Sequence, residues 1–258
     1  MGQVFYWCTT VGQTYLESLA KWDGKSKFDL SKIRQALTDI GLILNQNFIH
    51  VAGTNGKGST SVLIASILNS AGKSVGLNIS PHLVDVRERI SINGKLIDEK
   101  TLIRVDKYIS SKISVKLSYH EFLTLIAFYV FKELESSVIE VGLGGRNDAS
   151  NVIDNPKITI ITSIGLDHCA VLGNTIEKIA YEKAGIIKSG SKLILGNIPE
   201  QAMKVIIEVA REKKVEYYIF GQDFSLNNNV FEYNGSRINL IQHSFLGKHQ
   251  ESNLGCAV

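Results

Sequence analysis

Cysteine, proline and tryptophan are scarce in this 258-residue sequence, with three, three and two copies. Cys8, Cys169 and Cys256 offer neither a CxxC pair nor an even count, which argues against a disulfide scaffold or a zinc ribbon and fits a reducing compartment. With so little proline and no Pro-rich or low-complexity tract, no rigid linker is marked. Met1 to Thr10 carries no basic residue ahead of its apolar ones, so a signal peptide is not indicated and a cytoplasmic location is the expectation. Long hydrophobic runs are missing too: the longest, Phe122 to Phe131, is roughly half of what a membrane-spanning helix needs. Nor is there an excess of one charge. Lys plus Arg (28) against Asp plus Glu (25) leaves +3, too small and too evenly spread for a nucleic-acid surface or a polybasic membrane surface. Any anion binding must be local.

What is plentiful is apolar residue, at 44%, and glycine, with 22 copies, the composition of a folded globular chain. From Phe48 onward, short β-branched runs alternate with helical periodicity, the pattern of βαβ units around a parallel sheet covered on both faces. Expected strands are Phe48–Ala52, Ser74–Ile79, Ser137–Val141, Lys157–Thr162, Lys192–Gly196 and Val215–Phe220. Several are apolar throughout, as buried parallel strands are. Expected helices are Ser59–Ala71, Glu99–Ile113, His120–Glu133, Thr175–Ala184 and Glu200–Lys213, with Gly72 and Gly185 where a helix C-cap favours glycine. Two regions break the alternation: Val84–Ile97, with Asn93-Gly94, reads as a β-ribbon or loop, and Phe224–Leu240, with Asn234-Gly235, as a hairpin, neither belonging to the parallel core. The fold class is therefore α/β, a mostly parallel sheet flanked by helices and containing a phosphate loop, with a small β-hairpin region near the C-terminus.

That loop is the strongest chemical signal. His50-Val-Ala-Gly-Thr-Asn-Gly-Lys-Gly-Ser-Thr60 leaves an apolar strand and opens a helix. Glycines let backbone N–H groups turn towards one point, the helix N-terminus adds partial positive charge, and Lys57 supplies a full one for phosphates. The spacing is not the plain G-x4-G-K-[ST], because Gly53 and Gly56 are three apart and Gly58 separates Lys57 from Ser59. No N-K-x-D base-reading segment follows, which disfavours a GTPase switch. Glu140 ends a second buried strand before Gly142-Leu-Gly-Gly-Arg-Asn-Asp-Ala149. A carboxylate at that sheet edge suits Mg²⁺ or merely caps a neighbour, while Arg146 and Asp148 read equally well as a salt bridge. His168 follows a third strand, where a lone histidine is more often structural. Glu182-Lys183 reads on its own as a solvated basic end of a helix, and Ser80, before Pro81, as a turn residue. Ser80, Glu140 and His168 each finish an expected strand, so a parallel sheet gathers all three near the Lys57 loop.

Five segments in this order resemble the folylpolyglutamate synthase/dihydrofolate synthase family, a branch of the ATP-dependent Mur ligases. They are Gly53-Thr-Asn-Gly-Lys-Gly-Ser59, Ser80-Pro-His-Leu83 with Arg87-Glu-Arg-Ile90, Glu140-Val-Gly-Leu-Gly-Gly-Arg146 with Asp148-Ala149, Leu166-Asp-His168, and Glu182-Lys-Ala-Gly-Ile186. The resemblance implies that Gly53, Thr54, Asn55, Gly56, Lys57, Gly58, Ser59 and Thr60 hold ATP. It implies that Ser80, Glu140, His168 and Lys183, the last as a carbamate, hold Mg²⁺, and that Lys57, Lys183 and His168 are the catalytic groups. Substrate contacts would fall on Lys25, Ser26, Lys27 and Asp29, on Ser118, Tyr119, His120 and Glu121, and on Asn147, Asp148 and Ala149. Tyr119 would pack on a pterin and Glu121 would bond its ring nitrogens. The implied reaction passes the γ-phosphoryl of ATP to a pteroate or folate carboxylate, after which the amine of L-glutamate attacks the acyl phosphate.

The resemblance also divides the chain. Residues 1–244 would be the ATP-binding domain, and residues 245–258 the start of a linker and helix leading to a glutamate-ligase domain, with Asn253 approaching the nucleotide. Two readings stay open: the ATP-binding part of an active ligase, or a truncated or degenerate homologue that binds Mg-ATP without completing ligation.

Overall fold

A computed structural model describes residues 14–19, 29–45, 47–240 and 249–258. Helices in chain order are α1 (Tyr15–Ser18), α2 (Ser31–Asp39), α3 (Lys57–Ser70), α4 (Glu99–Ser110), α5 (Tyr119–Phe131), α6 (Cys169–Leu172), α7 (Ile176–Ala184), α8 (Glu200–Glu212) and α9 (His249–Ala257). Strands are β1 (Asn47–Ala52), β2 (Val75–Asn78), β3 (Ile90–Ile92), β4 (Lys95–Leu96), β5 (Ser136–Glu140), β6 (Ile158–Ser163), β7 (Lys192–Asn197) and β8 (Glu216–Ile219), then β9 (Phe224–Asn227), β10 (Val230–Tyr233) and β11 (Ser236–Asn239).

The first eight strands form one sheet in the order β4-β3-β2-β5-β1-β6-β7-β8. From β2 to β8 every neighbouring pair is parallel, with β1 between β5 and β6 and Val51 opposite both Glu140 and Ile160. The carboxyl ends of β2, β5, β1 and β6 therefore lie side by side. This is the edge where open α/β sheets bind ligands.

Strand alternation sorts the apolar residues into two covered faces. Ile49, Val51, Val138 and Ile160 pack with Ile64 of α3, Leu254 of α9 and the β9–β11 sheet. On the other face Phe48 and Ile139 meet α5, whose Phe122, Phe128 and Phe131 are fully buried, while Ile161, Leu193 and Leu195 meet α7 and α8. The apolar run Phe122 to Phe131 is thus a core helix, and no described helix is long and apolar enough to cross a membrane.

All six expected core strands and all five expected helices are present, each shifted by a residue or a few at its ends. Other readings change. The hairpin β3–β4, turning at Asn93 (φ 50°) and Gly94 (φ 75°), does not stand apart but extends the main sheet antiparallel to β2. Phe224–Leu240 makes three strands rather than one hairpin. Gly72 is in the left-handed conformation (φ 79°) that a C-cap glycine supplies, whereas Gly185 is right-handed (φ −58°). What requires glycine at 185 is space, since a Cβ there would overlap the Arg146 backbone. Helices α1, α2 and α6 were not expected. Helix α1 is held by a Thr14/Glu17 capping box and by buried Asp106, which accepts the N–H groups of Tyr15 (3.0 Å) and Leu16 (2.8 Å).

Gly76 in β2 shows how tightly this face is filled, because a Cβ there would run into the ring of Phe131. Gly76→Ala should destabilise the fold by about 1–3 kcal/mol through overpacking, measured by urea denaturation. Adding Phe131→Leu should recover part of that loss, and an unchanged midpoint in the single variant would refute the packing account.

Candidate functional site

The glycine loop connects β1 to α3 and is braced by the end of β6. Thr54 N–H donates to the Ser163 carbonyl (2.8 Å), and the Thr54 hydroxyl exchanges hydrogen bonds with the backbone of Gly165 (3.2 and 3.0 Å). The Asn55 carbonyl accepts from the hydroxyls of Thr162 (2.6 Å) and Ser163 (3.0 Å). Gly53 makes this approach possible: its φ is 152°, and a Cβ would overlap the Thr162 hydroxyl. Gly56, left-handed at φ 83°, is the N-cap of α3, whose first N–H groups lack intrahelical partners and point into the loop. Gly58, Ser59 and Thr60 form the first turn. Lys57 folds back so that its ammonium donates to the carbonyls of Gly53 (3.1 Å) and Thr54 (3.3 Å).

A second ammonium reaches the same carbonyl. Lys183, on the last turn of α7, is 4% exposed and donates to the Gly53 oxygen at 2.8 Å. The solvated basic helix end read from sequence is therefore corrected: Lys183 is buried and points into the site. Burial first, and then the charge of Lys57, lower its pKa to about 8. Across the loop, Glu140 closes β5 with 4% exposure. Its carboxylate accepts the Ser80 N–H at 3.0 Å, and burial raises its pKa while Lys57 and Arg89 oppose the rise. Ser80 thus meets Glu140 as the strand order requires. His168 does not join them in a contact; it is exposed, left-handed (φ 48°), and lies 3.6 Å from the Asp167 carboxylate. Among the described residues no three His, Cys, Asp or Glu side chains converge as a metal cluster.

The substrate-side residues separate into engaged and open ones. Lys25, Ser26 and Lys27 lie outside the described residues. Exposed Asp29 accepts the N–H and hydroxyl of Ser31 at the start of α2. Ser118 and Glu121 form the capping box of α5, the Glu121 carboxylate taking the Ser118 N–H at 2.7 Å. Ala149 is core, Asn147 is exposed and Tyr119 half-buried. Asp148 is 2% exposed and fully used: it accepts Leu143 N–H (2.9 Å), the Ser150 N–H and hydroxyl, and faces His120 Nε2 at 3.3 Å. Burial alone would raise its pKa, but the His120 charge and hydrogen bond hold it well below the carboxylate range. Conversely, burial would lower His120, and Asp148 outweighs it. The Arg146–Asp148 salt bridge is not formed; the Arg146 guanidinium stacks over the Tyr181 ring at 3.9 Å.

Asn253 arrives from α9. Its carbonyl lies 3.5 Å from the Thr60 hydroxyl, and a Cβ on Gly56 would strike its side-chain oxygen. Sequence reasoning missed three features. Thr162 and Ser163 brace the loop, for which a hydroxyl pair ending an apolar strand was the available signal. His50 is completely buried in β1, its Nε2 2.8 Å from the Ser150 hydroxyl. Arg89 lies half-buried beside Tyr119.

A loop of three glycines and a lysine between a central parallel strand and a helix, facing a buried strand-end carboxylate, defines a P-loop-type α/β domain. The chain belongs to the Mur ligase family, the Mur ligase middle domain matching residues 51–258, and among the proteins it is similar to are folylpolyglutamate synthases. It is 38% identical over 241 residues to the folylpolyglutamate synthase of Arabidopsis thaliana, a match covering 90% of this chain and 40% of that protein. It is 42% identical over 206 residues to the dihydrofolate synthase/folylpolyglutamate synthase of Buchnera aphidicola subsp. Schizaphis graminum, covering 78% and 47%. The solved structure of E. coli FolC in complex with DHPP and ADP superposes with a TM-score of 0.84 at 33% identity, covering 94% of this chain and 59% of that one. The chain thus spans less than half the length of these two curated relatives.

Two outcomes follow from this geometry. Gly56→Ala, which places a side chain at φ 83° and against Asn253, should destabilise the fold by about 1–3 kcal/mol, the scale of such local strain; an unchanged midpoint in urea denaturation would contradict it. His50 is buried neutral, its pKa pushed down from 6.5 to about 4 by burial. Its contribution to stability is complete above pH 6.5 and is lost as pH falls towards 4, because the unfolded chain takes up the proton first. The loss should amount to about 3 kcal/mol, and His50→Gln should flatten that part of the stability–pH curve; parallel curves for the two proteins would exclude it.

Proposed function

We propose that this chain is the nucleotide-binding part of an ATP-dependent ligase that joins L-glutamate to dihydropteroate, to folates, or to both. The observation that carries the reading is the meeting of Lys57 and Lys183 on the Gly53 carbonyl, at the mouth of a glycine loop that faces Glu140. In the unloaded site, two ammonium groups on one carbonyl leave the loop short of negative charge, which the phosphates of ATP and the carbamate formed on Lys183 supply. Asn253, resting on Gly56, is a contact for the nucleotide.

Mg²⁺ fits the neighbouring residues. Among the described residues Glu140 is a buried carboxylate with one backbone hydrogen bond and no paired cation, and the Ser80 hydroxyl adds a second oxygen donor at the next strand end. Few protein oxygens and several waters are what Mg²⁺ takes. When bound, Mg²⁺ neutralises charge on the phosphates. Lys183 enters the set as its carbamate. An amine with pKa about 8 is in part neutral near pH 7, and CO₂ combines only with the neutral form. His168 joins by its place after β6.

Lys57 and the loop N–H groups orient the phosphates and stabilise the charge that shifts as the γ-phosphoryl passes to the carboxylate of the acid. The amine of L-glutamate then displaces phosphate. Asp29, Tyr119, His120 and Asn147 border the acid. The partners are small molecules, handled by a cytoplasmic monomer.

The test is ADP release with dihydropteroate and L-glutamate, compared with either alone and with tetrahydrofolate plus L-glutamate. Glutamate-dependent turnover that drops on the order of a hundredfold or more in Glu140→Ala supports the reading. Near-normal turnover in that variant would sink the metal assignment. ATP-analogue binding without glutamate-dependent ADP release would assign the chain to nucleotide binding alone.

A further inference from the structure

Arg89 ends the 3-10 turn Val86–Arg89 that leads into β3. Its Nε donates to His82 Nδ1 at 2.8 Å, its guanidinium carbon lies 5.9 Å from the centre of the Tyr119 ring, and burial depresses its pKa. The two terminal nitrogens have no acceptor among the described residues. This sets Arg89 apart. Arg34, Arg87 and Arg237 each pair with a carboxylate, Arg146 stacks on Tyr181 and bonds its carbonyl, and Arg104 and Arg211 are exposed. A half-buried guanidinium with both ends unused is a costly arrangement unless an anion completes it.

Its position says which anion. Arg89 and Glu140 are near enough that each favours the charge of the other, and Arg89 opposes protonation of His120. On its outer side, His82 and Tyr119, the two side chains that flank the guanidinium, also line a cavity of about 300 Å³ walled by Leu16, Val84, Val86 and Leu102. The cavity end of this path combines that apolar and aromatic wall with the charged Glu17, Asp85, Arg87 and Glu99, and the other end is a cationic fork beside Glu140.

We propose that Arg89 receives the carboxylate of the acid substrate, the fork gripping both oxygens while the flat body of the acid lies against Tyr119 in the cavity. The assignment rests on the ligase reading above and extends it to the group that presents the carboxylate for phosphorylation. A planar guanidinium matches a carboxylate bidentately, which a lysine in its place would not do.

Calorimetry of the whole chain, saturated with Mg²⁺ and a non-hydrolysable ATP analogue, can compare dihydropteroate with its carboxamide. The wild-type protein should prefer the acid on the order of ten- to a hundredfold, the scale of a charge-assisted hydrogen bond. Arg89→Gln should bind acid and amide alike, and Arg89→Lys should recover only part of the preference. Unchanged nucleotide affinity and melting temperature in both variants would show that the fold and loop are intact; should Arg89→Gln fail to fold, Arg89→Lys carries the comparison. Preference for the acid retained in the variants overturns the Arg89 assignment and leaves the ligase reading standing. Loss confined to the KM for L-glutamate also overturns it, moving the fork to the other substrate. A wild-type chain that binds neither pterin overturns the ligase reading itself.

Discussion

The contact between the phosphate loop and the end of β6 is the constraint on which the rest of the site depends. Because residue 53 has no Cβ, the backbone can lie against the Thr162 hydroxyl, and Thr162 and Ser163 then fix the Asn55 carbonyl. That leaves the Gly53 carbonyl facing inward, where two lysines from different helices find it. Each ammonium raises the cost of the other, which is one reason Lys183 is so weakly basic. The loop is thus held open by hydrogen bonds and left electrostatically incomplete.

Behind the loop runs a second buried polar chain, from His50 through Ser150 and Asp148 to His120. It ties the turn after β5 to the central strand and to the first turn of α5. Gly142 is part of the same packing, since a Cβ there would come within 2.6 Å of the His120 ring. Asp148 has no spare lone pair of consequence, so its role is to hold His120 and the turn in place.

Much of this was legible in the residues. Periodicity two in the apolar strands and 3.6 in the helices gave the parallel core, and glycine spacing with Lys57 gave the loop. Strand ends gave Ser80 and Glu140 as neighbours. The misreadings have physical causes. Ser118-Tyr-His-Glu121 carries the S-x-x-E signature of a capping box, and that local bond claims Glu121. Lys183 looked like a helix-terminal charge because nothing along the sequence shows that α7 ends against the loop. Arg89 sits in a run of charges, Arg87-Glu88-Arg89, where only tertiary structure shows that Asp85 takes Arg87 and that Arg89 is left over. Short α1 and α2 depend on long-range partners, such as Asp106 for α1, that local pattern does not display.

Helix α9 has an implication for how the site is made. Thr60 and Asn253 touch across 193 residues of chain, and the Ser252 hydroxyl next to it accepts the Asn197 N–H at the end of β7. A contact of such sequence separation forms late, since the intervening chain must be ordered before the closure is rewarded. During synthesis the loop therefore emerges first and is finished last: it waits, already positive and only partly walled, until the polypeptide that will roof it has left the ribosome.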